Sequence, residues 1–110
     1  MGFAKVIPIL IDISEDDQNS EAVDISDFKL FSLQWPASMT GTGVAIQANS
    51  PAGWVTLAVE GGSDVSVAKN DGALTGLDDT LLELASVSTI RLVSTANEVA
   101  DRQFYLHCKG

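Results

Sequence analysis

The chain has 110 residues, of which 45% are hydrophobic, and its 15 acidic and six basic residues give a formal charge of −9. This length and composition predict one globular domain spanning residues 1–110. We expect neither a nucleic-acid partner nor a membrane partner, because a polyanionic surface repels nucleic acid and no stretch approaches the roughly eighteen apolar residues of a membrane helix.

The first segment, residues 4–13, is apolar on both sides of a predicted strand apart from Lys5 and Asp12. Strand alternation places Ile7, Ile9, Ile11 and Ile13 on one side and Val6 and Leu10 on the other. Pro8 cannot donate a hydrogen bond to a neighbouring strand, which favours an edge strand or a bulge. A small domain would struggle to bury both sides, so we expect one side to meet another chain.

Acidic residues are concentrated directly after this segment. Seven of the fifteen acids lie in residues 12–27, namely Asp12, Glu15, Asp16, Asp17, Glu21, Asp24 and Asp27. Such a cluster raises the hypothesis of a calcium loop, but the EF-hand template needs glycine where Asp17 stands and glutamate where Val23 stands. We therefore predict an acidic loop or arm at residues 14–22 that binds no metal.

Further strands are predicted along the rest of the chain. Residues 22–26 fit a short strand, and residues 28–35 are again apolar on both sides, with Phe31 and Trp35 on one of them. Alternating or strongly β-prone segments follow at residues 43–49, 54–60, 65–67, 89–94 and 102–109. The exception is residues 78–85, where leucine spacing allows either a helical turn or a short strand.

Turn-forming residues separate these segments, as in residues 40–43, 50–53, 61–63 and 70–72. Because about eight short strands cannot form a stable flat sheet with both faces wet, they must close over a core. The predicted fold is all-β, a single antiparallel β-sandwich of jelly-roll type or a barrel.

The sequence contains few of the side chains and motifs that catalytic sites require. His107 and Cys108 are the only histidine and the only cysteine, and alternation points them to opposite faces of the last strand. No Walker-type motif and no Gly-x-Ser-x-Gly occurs. We expect no enzymatic activity and no cofactor, with Cys108 in the core and synthesis in a host cytoplasm.

Two tryptophans leave alternatives open. Trp35 and Trp54 lie at the ends of predicted strands, where an indole commonly closes a core while its N–H finds a partner. Exposed tryptophans on a β-sandwich would instead stack on sugars, or contribute to a subunit interface. A carbohydrate-binding β-sandwich module therefore stays as an alternative function.

Short motifs follow one another in a characteristic order along the chain: Trp35-Pro36, Thr40-Gly41-Thr42, Ile46-Gln47, Gly61-Gly62, Val65-Ser66-Val67, Ile90-Arg91-Leu92-Val93-Ser94 and Arg102. This order, over residues 5–109, resembles that of the small β-sandwich structural proteins of tailed bacteriophages. The resemblance implies a virion component without catalysis, most simply a capsid decoration or cement protein that stabilises the phage head. A neck, tail or baseplate subunit is the second role that it implies.

This resemblance also implies partners. We expect a homo-oligomer, a trimer or dimer, on the capsid exterior, in contact with the major capsid protein or other virion proteins. Surplus apolar surface marks the predicted interface, which consists of Val6, Ile7, Ile9, Leu10, Ile11, Phe31 and Trp35.

Overall fold

The protein, as a computed structural model, is described over residues 4–26, 28, 30–58, 66–76 and 88–109. These residues form nine strands and no helix. In chain order the strands are β1 (Ala4–Ile11), β2 (Val23–Asp24), β3 (Leu30–Gln34), β4 (Gly43–Ser50), β5 (Gly53–Thr56), β6 (Ser66–Ala68), β7 (Leu74–Gly76), β8 (Thr89–Ser94) and β9 (Arg102–Lys109).

Sheet A contains four antiparallel strands in the order β1-β9-β3-β7. The first and last strands pair along their full length, from Ala4 opposite Lys109 to Ile11 opposite Arg102. β1 is an edge strand, which confirms the edge position that Pro8 favours. On the free edge of a sheet no neighbouring strand needs a backbone N–H, so a proline is tolerated there.

Sheet B is built around β4. β8 pairs with one edge of β4, while β5 and β6 share the other edge, and β2 pairs with the far edge of β8. All pairings are antiparallel. The two sheets bury one face each against the other, so the predicted all-β sandwich is confirmed.

The core consists of the inward-facing side chains of both sheets. Phe104 on β9 is fully buried and meets the indole of Trp35 edge-on, with ring centroids 5.6 Å apart. The other buried apolar residues include Ile9, Ile11, Phe31, Leu33, Val44, Ile46, Ile90, Leu92, Leu106 and Cys108. Burial of Cys108 confirms its prediction as a small core residue.

The predicted strands mostly agree with the structure. β4, β8 and β9 match residues 43–49, 89–94 and 102–109 closely, and β5 ends at Thr56, so it is shorter than the predicted strand. β7 was not predicted, because three residues are too few for alternation to be visible. The ambiguous segment at residues 78–85 lies outside the described residues. Within those residues, no helix is long and apolar enough to cross a bilayer.

The acidic segment is fastened to sheet B. The amide of Ser20 donates to the carbonyl of Leu92 at 2.8 Å, and the amide of Ser94 donates to the carbonyl of Gln18 at 2.9 Å. This part of the segment therefore runs along β8 as a continuation of the edge that β2 occupies. Residues 14–22 form a hydrogen-bonded loop rather than a free arm.

Candidate interaction surface

The outer face of sheet A is the side turned away from sheet B. Side chains opposite each other across antiparallel strands lie on the same face, so the pairing registers define it. Its members are Ala4, Val6, Pro8 and Leu10 of β1, Gln103, Tyr105, His107 and Lys109 of β9, Ser32 and Gln34 of β3, and Leu74 and Gly76 of β7.

Three large apolar side chains on this outer face are open to solvent. Val6 is 48% exposed, Leu74 is 55% exposed and Tyr105 is 38% exposed. Pro8, Tyr105, Gln34 and Leu74 follow each other across the four strands in one row. An exposed aromatic ring flanked by aliphatic side chains is typical of the centre of a protein–protein interface.

His107 belongs to this face, while its neighbour Cys108 points into the core. The Nε2 atom of His107 lies 2.8 Å from the Oε1 atom of Gln34 on the adjacent strand. Burial raises the pKa of Cys108 to about 11, although Lys5 acts in the opposite direction. The two side chains diverge as predicted, and the thiol is kept in its protonated, poorly nucleophilic form.

Charge is unevenly distributed around sheet A. None of the residues in its four strands is Asp or Glu. Acids are concentrated instead at the end where β1 finishes and β9 begins, which we call the acidic end, formed by Asp12, Glu15, Asp16, Asp17 and Asp101. Lys109 lies at the opposite end of the outer face.

Two carboxylates at the acidic end accept hydrogen bonds from residues of their own loop. The hydroxyl of Ser14 donates a hydrogen bond to Asp12 and is the main cause of the lowered pKa of this carboxyl, and the Ser14 amide is the second cause. The amides of Asn19 and Gln18, together with the Asn19 side chain, lower the pKa of Asp16. Asp12 and Asp16 line an open cleft of about 360 Å³, together with Leu10, Glu15, Asn19, Ser20, Glu21 and Arg91.

We expect divalent cations to leave the stability of the protein unchanged. Asp12 and Asp16 already accept hydrogen bonds, and the described residues contain no group of three or more His, Cys, Asp or Glu side chains that could hold a metal ion. Adding EDTA or millimolar calcium should shift the melting temperature by less than about 1 °C, since only ligands that prefer the folded state stabilise it. A fall of several degrees on chelation would show that the acidic loop holds a metal.

The two tryptophans occupy different environments. Trp35 is only 2% exposed, and its Nε1–H donates to Thr75 Oγ1 at 2.9 Å, so it closes the core and offers no platform for a sugar. Trp54 is half-buried on the outer face of sheet B, with the Arg91 guanidinium carbon 4.5 Å from its ring centroid. Arg91 is fixed there by donating from Nε to Gln47 Oε1 at 2.8 Å.

The seven predicted interface residues divide between the two faces of sheet A. Val6 and Leu10 lie on the outer face, while Ile7 is half-buried and packs against the core. Sheet B covers the inner face, so four of the seven are buried within the subunit and have no surface to offer a second chain: Ile9, Ile11, Phe31 and Trp35. Two further apolar residues exposed on the outer face, Tyr105 and Leu74, were not among the seven, although alternation makes Tyr105 the outward neighbour of Phe104.

One buried acid was also missed. Glu98 Oε1 accepts hydrogen bonds from the Thr40 amide and from Arg102 Nε, and Oε2 accepts from the Gly41 amide and from Ser94 Oγ, all at 2.8 Å. Burial opposes ionisation, but these four donors outweigh it and lower the pKa of Glu98 to about 2. The carboxylate ties the turn before β4 to the ends of β8 and β9.

Comparison with known proteins yields a fold likeness. No protein family matches the sequence, and no curated protein matches it either. Among solved structures, the crystal structure of the SPBc2 prophage-derived protein YomS is similar, with a TM-score of 0.61 and 10% sequence identity. The match covers 100% of this chain and 96% of that protein. At this identity the likeness concerns the fold alone.

Proposed function

We propose that this chain is a non-enzymatic structural subunit of a bacteriophage particle, and that its role is capsid decoration or cementing. One observation carries the proposal: the fold matches a prophage-derived protein over the full length of this chain. The resemblance of its sequence motifs to small β-sandwich proteins of tailed phages points the same way, although fold alone does not fix function.

The described surface is compatible with this role. The outer face of sheet A offers apolar contacts without any carboxylate in its strands, as a protein that acts by association requires. The net charge of −9 would keep free subunits soluble and suits the outside of a shell better than an inside lined with DNA. The proposed partners are therefore the major capsid protein or other virion proteins on the capsid exterior.

The direct test is to locate the protein on particles. Particles of the phage or prophage that encodes this chain would be purified on a gradient, analysed by mass spectrometry and labelled with antibody and gold for electron microscopy. We expect the protein in the particle fraction with the label over heads. Label over necks, tails or baseplates would favour the second role, and a protein present in the lysate but absent from particles would contradict a structural function.

The cement role has its own test. Particles that lack the chain would be mixed with purified protein, heated, and assayed for DNA release by dye fluorescence. We expect release to move to a higher temperature than with an unrelated acidic protein of similar size, because binding to the intact shell stabilises it by mass action. Binding without any change in release would leave decoration in place and exclude cementing.

A further inference from the structure

The outer face of sheet A fits a second copy of this chain. We propose that two copies pack face to face through it, about a two-fold axis that lies between the sheets and runs perpendicular to the strands. Tyr105 of each copy lies at this axis. The inference concerns the isolated protein and does not depend on the proposed role in a phage particle.

The first argument is the exposed apolar surface. Val6, Tyr105 and Leu74 come from β1, β9 and β7, so three of the four strands contribute an exposed apolar side chain, and Gln34 of β3 lies between Tyr105 and Leu74. Leu10 and Pro8 extend the same surface along β1. Burial of such side chains is the main favourable contribution to association, which makes this face the expected site of contact.

A contact through the edge of β1 is less suitable than one through its face. The Glu21 amide already donates to the Leu10 carbonyl at 3.0 Å, and the Leu10 amide donates to Glu21 Oε1 at 3.3 Å. Pro8, two residues away, directs its backbone to the same edge and has no N–H to donate. An added strand would therefore find its ladder interrupted at two successive positions, whereas a packed sheet needs no backbone donors.

The distribution of charge favours a second copy of this chain as the partner. Two copies with a charge of −9 repel each other over most approaches, but the outer face brings together strands that contain no Asp or Glu. The two ends of the face carry charges of opposite sign, with Lys109 at one end and Asp12 and Asp101 at the other. Because the face is positive at one end and negative at the other, two copies that face each other in opposite directions bring opposite charges together.

The same charges select the axis. A two-fold axis parallel to the strands would place the acidic end of one copy over the acidic end of the other. An axis perpendicular to the strands reverses the strand direction of the second copy and places its Lys109 over the acidic end of the first. Tyr105 lies midway along β9 between Asp101 and Lys109, so the axis passes at the level of Tyr105 and its pairing partner Pro8.

The size of the face sets the expected affinity. The strands β1, β3, β7 and β9 of sheet A contain eight, five, three and eight residues. At about 3.3 Å per residue and about 4.8 Å between strands, the face covers roughly 400 Å² per subunit. A contact of this size belongs to the weak class of interfaces, so we expect a dissociation constant of about 1–100 µM.

Sedimentation velocity over a dilution series tests the dimer. Wild-type protein should pass from monomer to dimer in the stated range, and Tyr105→Asp should raise the dissociation constant by at least about 100-fold, because the two new charges meet at the axis. Val55→Asp is the matched control, since Val55 is 44% exposed but lies on sheet B. Circular dichroism reports whether each monomer is folded. Wild-type protein that is monomeric at millimolar concentration would overturn the proposal.

A charge reversal tests the complementary ends. Lys109→Glu should raise the dissociation constant by about threefold to tenfold, because the symmetric dimer contains the contact twice. Lys69→Glu changes the net charge equally, at a loop position whose Nζ lies 3.7 Å from Asp71. Equal effects of the two substitutions would show that only net charge matters and would overturn the assigned orientation.

Cross-linking tests the position of the axis. Cys108→Ala removes the native thiol, and Tyr105→Cys in that background should give a covalent dimer with a short bis-maleimide reagent. Packed sheets lie about 10 Å apart, which is beyond a direct disulfide but within reach of such a linker. Val55→Cys in the same background should stay monomeric on denaturing gels. Cross-linking of Val55→Cys but not of Tyr105→Cys would place the contact on sheet B and refute the proposal.

Discussion

Replacing Glu98 with glutamine is expected to lower the free energy of unfolding by about 3–5 kcal/mol, the usual cost of breaking a buried, hydrogen-bonded ion pair. Both carboxylate oxygens already accept two hydrogen bonds each. A glutamine amide would bring N–H groups against two of these donors and would leave the Arg102 guanidinium without its anion. Urea unfolding followed by circular dichroism measures the change.

Glu15→Gln provides the control for this substitution. It removes the same charge, but Glu15 is exposed in the acidic loop, so its expected effect is below about 0.5 kcal/mol. Similar losses in the two variants would mean that long-range charge, rather than the four donors around Glu98, determines stability. A Glu98→Gln protein as stable as wild type would contradict the hydrogen-bond network itself.

The same carboxylate gives a pH dependence of defined sign. Its pKa falls from an ordinary value of 4.5 to about 2 in the folded protein, so the unfolded chain binds the proton more tightly. Its contribution, of about 3 kcal/mol, is complete above pH 4.5 and is lost as the pH falls toward 2. Glu98→Gln should therefore show a shallower loss of stability than Glu15→Gln between pH 4.5 and 2, measured by urea unfolding at each pH.

Glu98 also shows where sequence reasoning ends. The chain has fifteen acids, and nothing in the turn that contains Glu98 distinguishes it from the others. Its amide donors at Thr40 and Gly41 are 58 and 57 residues away in the chain. Only the closure of the sandwich brings them together, so no local pattern could have predicted a buried carboxylate here.

The interface prediction failed to separate two kinds of apolar surface for a related reason. Alternation divided β1 correctly into the side of Ile9 and Ile11 and the side of Val6 and Leu10. It could not say which side the same chain would cover, because that depends on sheet B, whose strands all come later in the sequence than β1. The structure decides this: sheet B buries the side of Ile9 and Ile11, and Val6 stays exposed.

β9 gives the clearest case in which alternation was sufficient. Phe104, Leu106 and Cys108 are buried, whereas Tyr105 is exposed and His107 is only half-buried. The strand has a neighbour on each edge and sheet B over one face, so its two faces meet very different surroundings. Adjacent aromatic residues on this strand should therefore respond very differently to the same substitution.

Phe104→Ala is expected to destabilise the subunit by about 3–5 kcal/mol, because the cavity adds to the lost burial of the ring. Phe104 is fully buried and supports the indole of Trp35 at a centroid distance of 5.6 Å. Tyr105→Ala, measured under dilute conditions where the chain is monomeric, should cost less than about 1 kcal/mol, since that ring is 38% exposed. Urea unfolding monitored by tryptophan fluorescence compares the two variants.

Phe104→Leu separates the cavity from the loss of an aromatic contact. Leucine keeps much of the buried volume, so this variant should recover a large part of the stability lost in Phe104→Ala. It should still lack the edge-on ring contact, which is worth about 0.5–1.5 kcal/mol beyond its buried area. If Phe104→Ala and Tyr105→Ala proved equally mild, the side of β9 that faces sheet B would have been assigned wrongly, and with it the outer face on which the dimer depends.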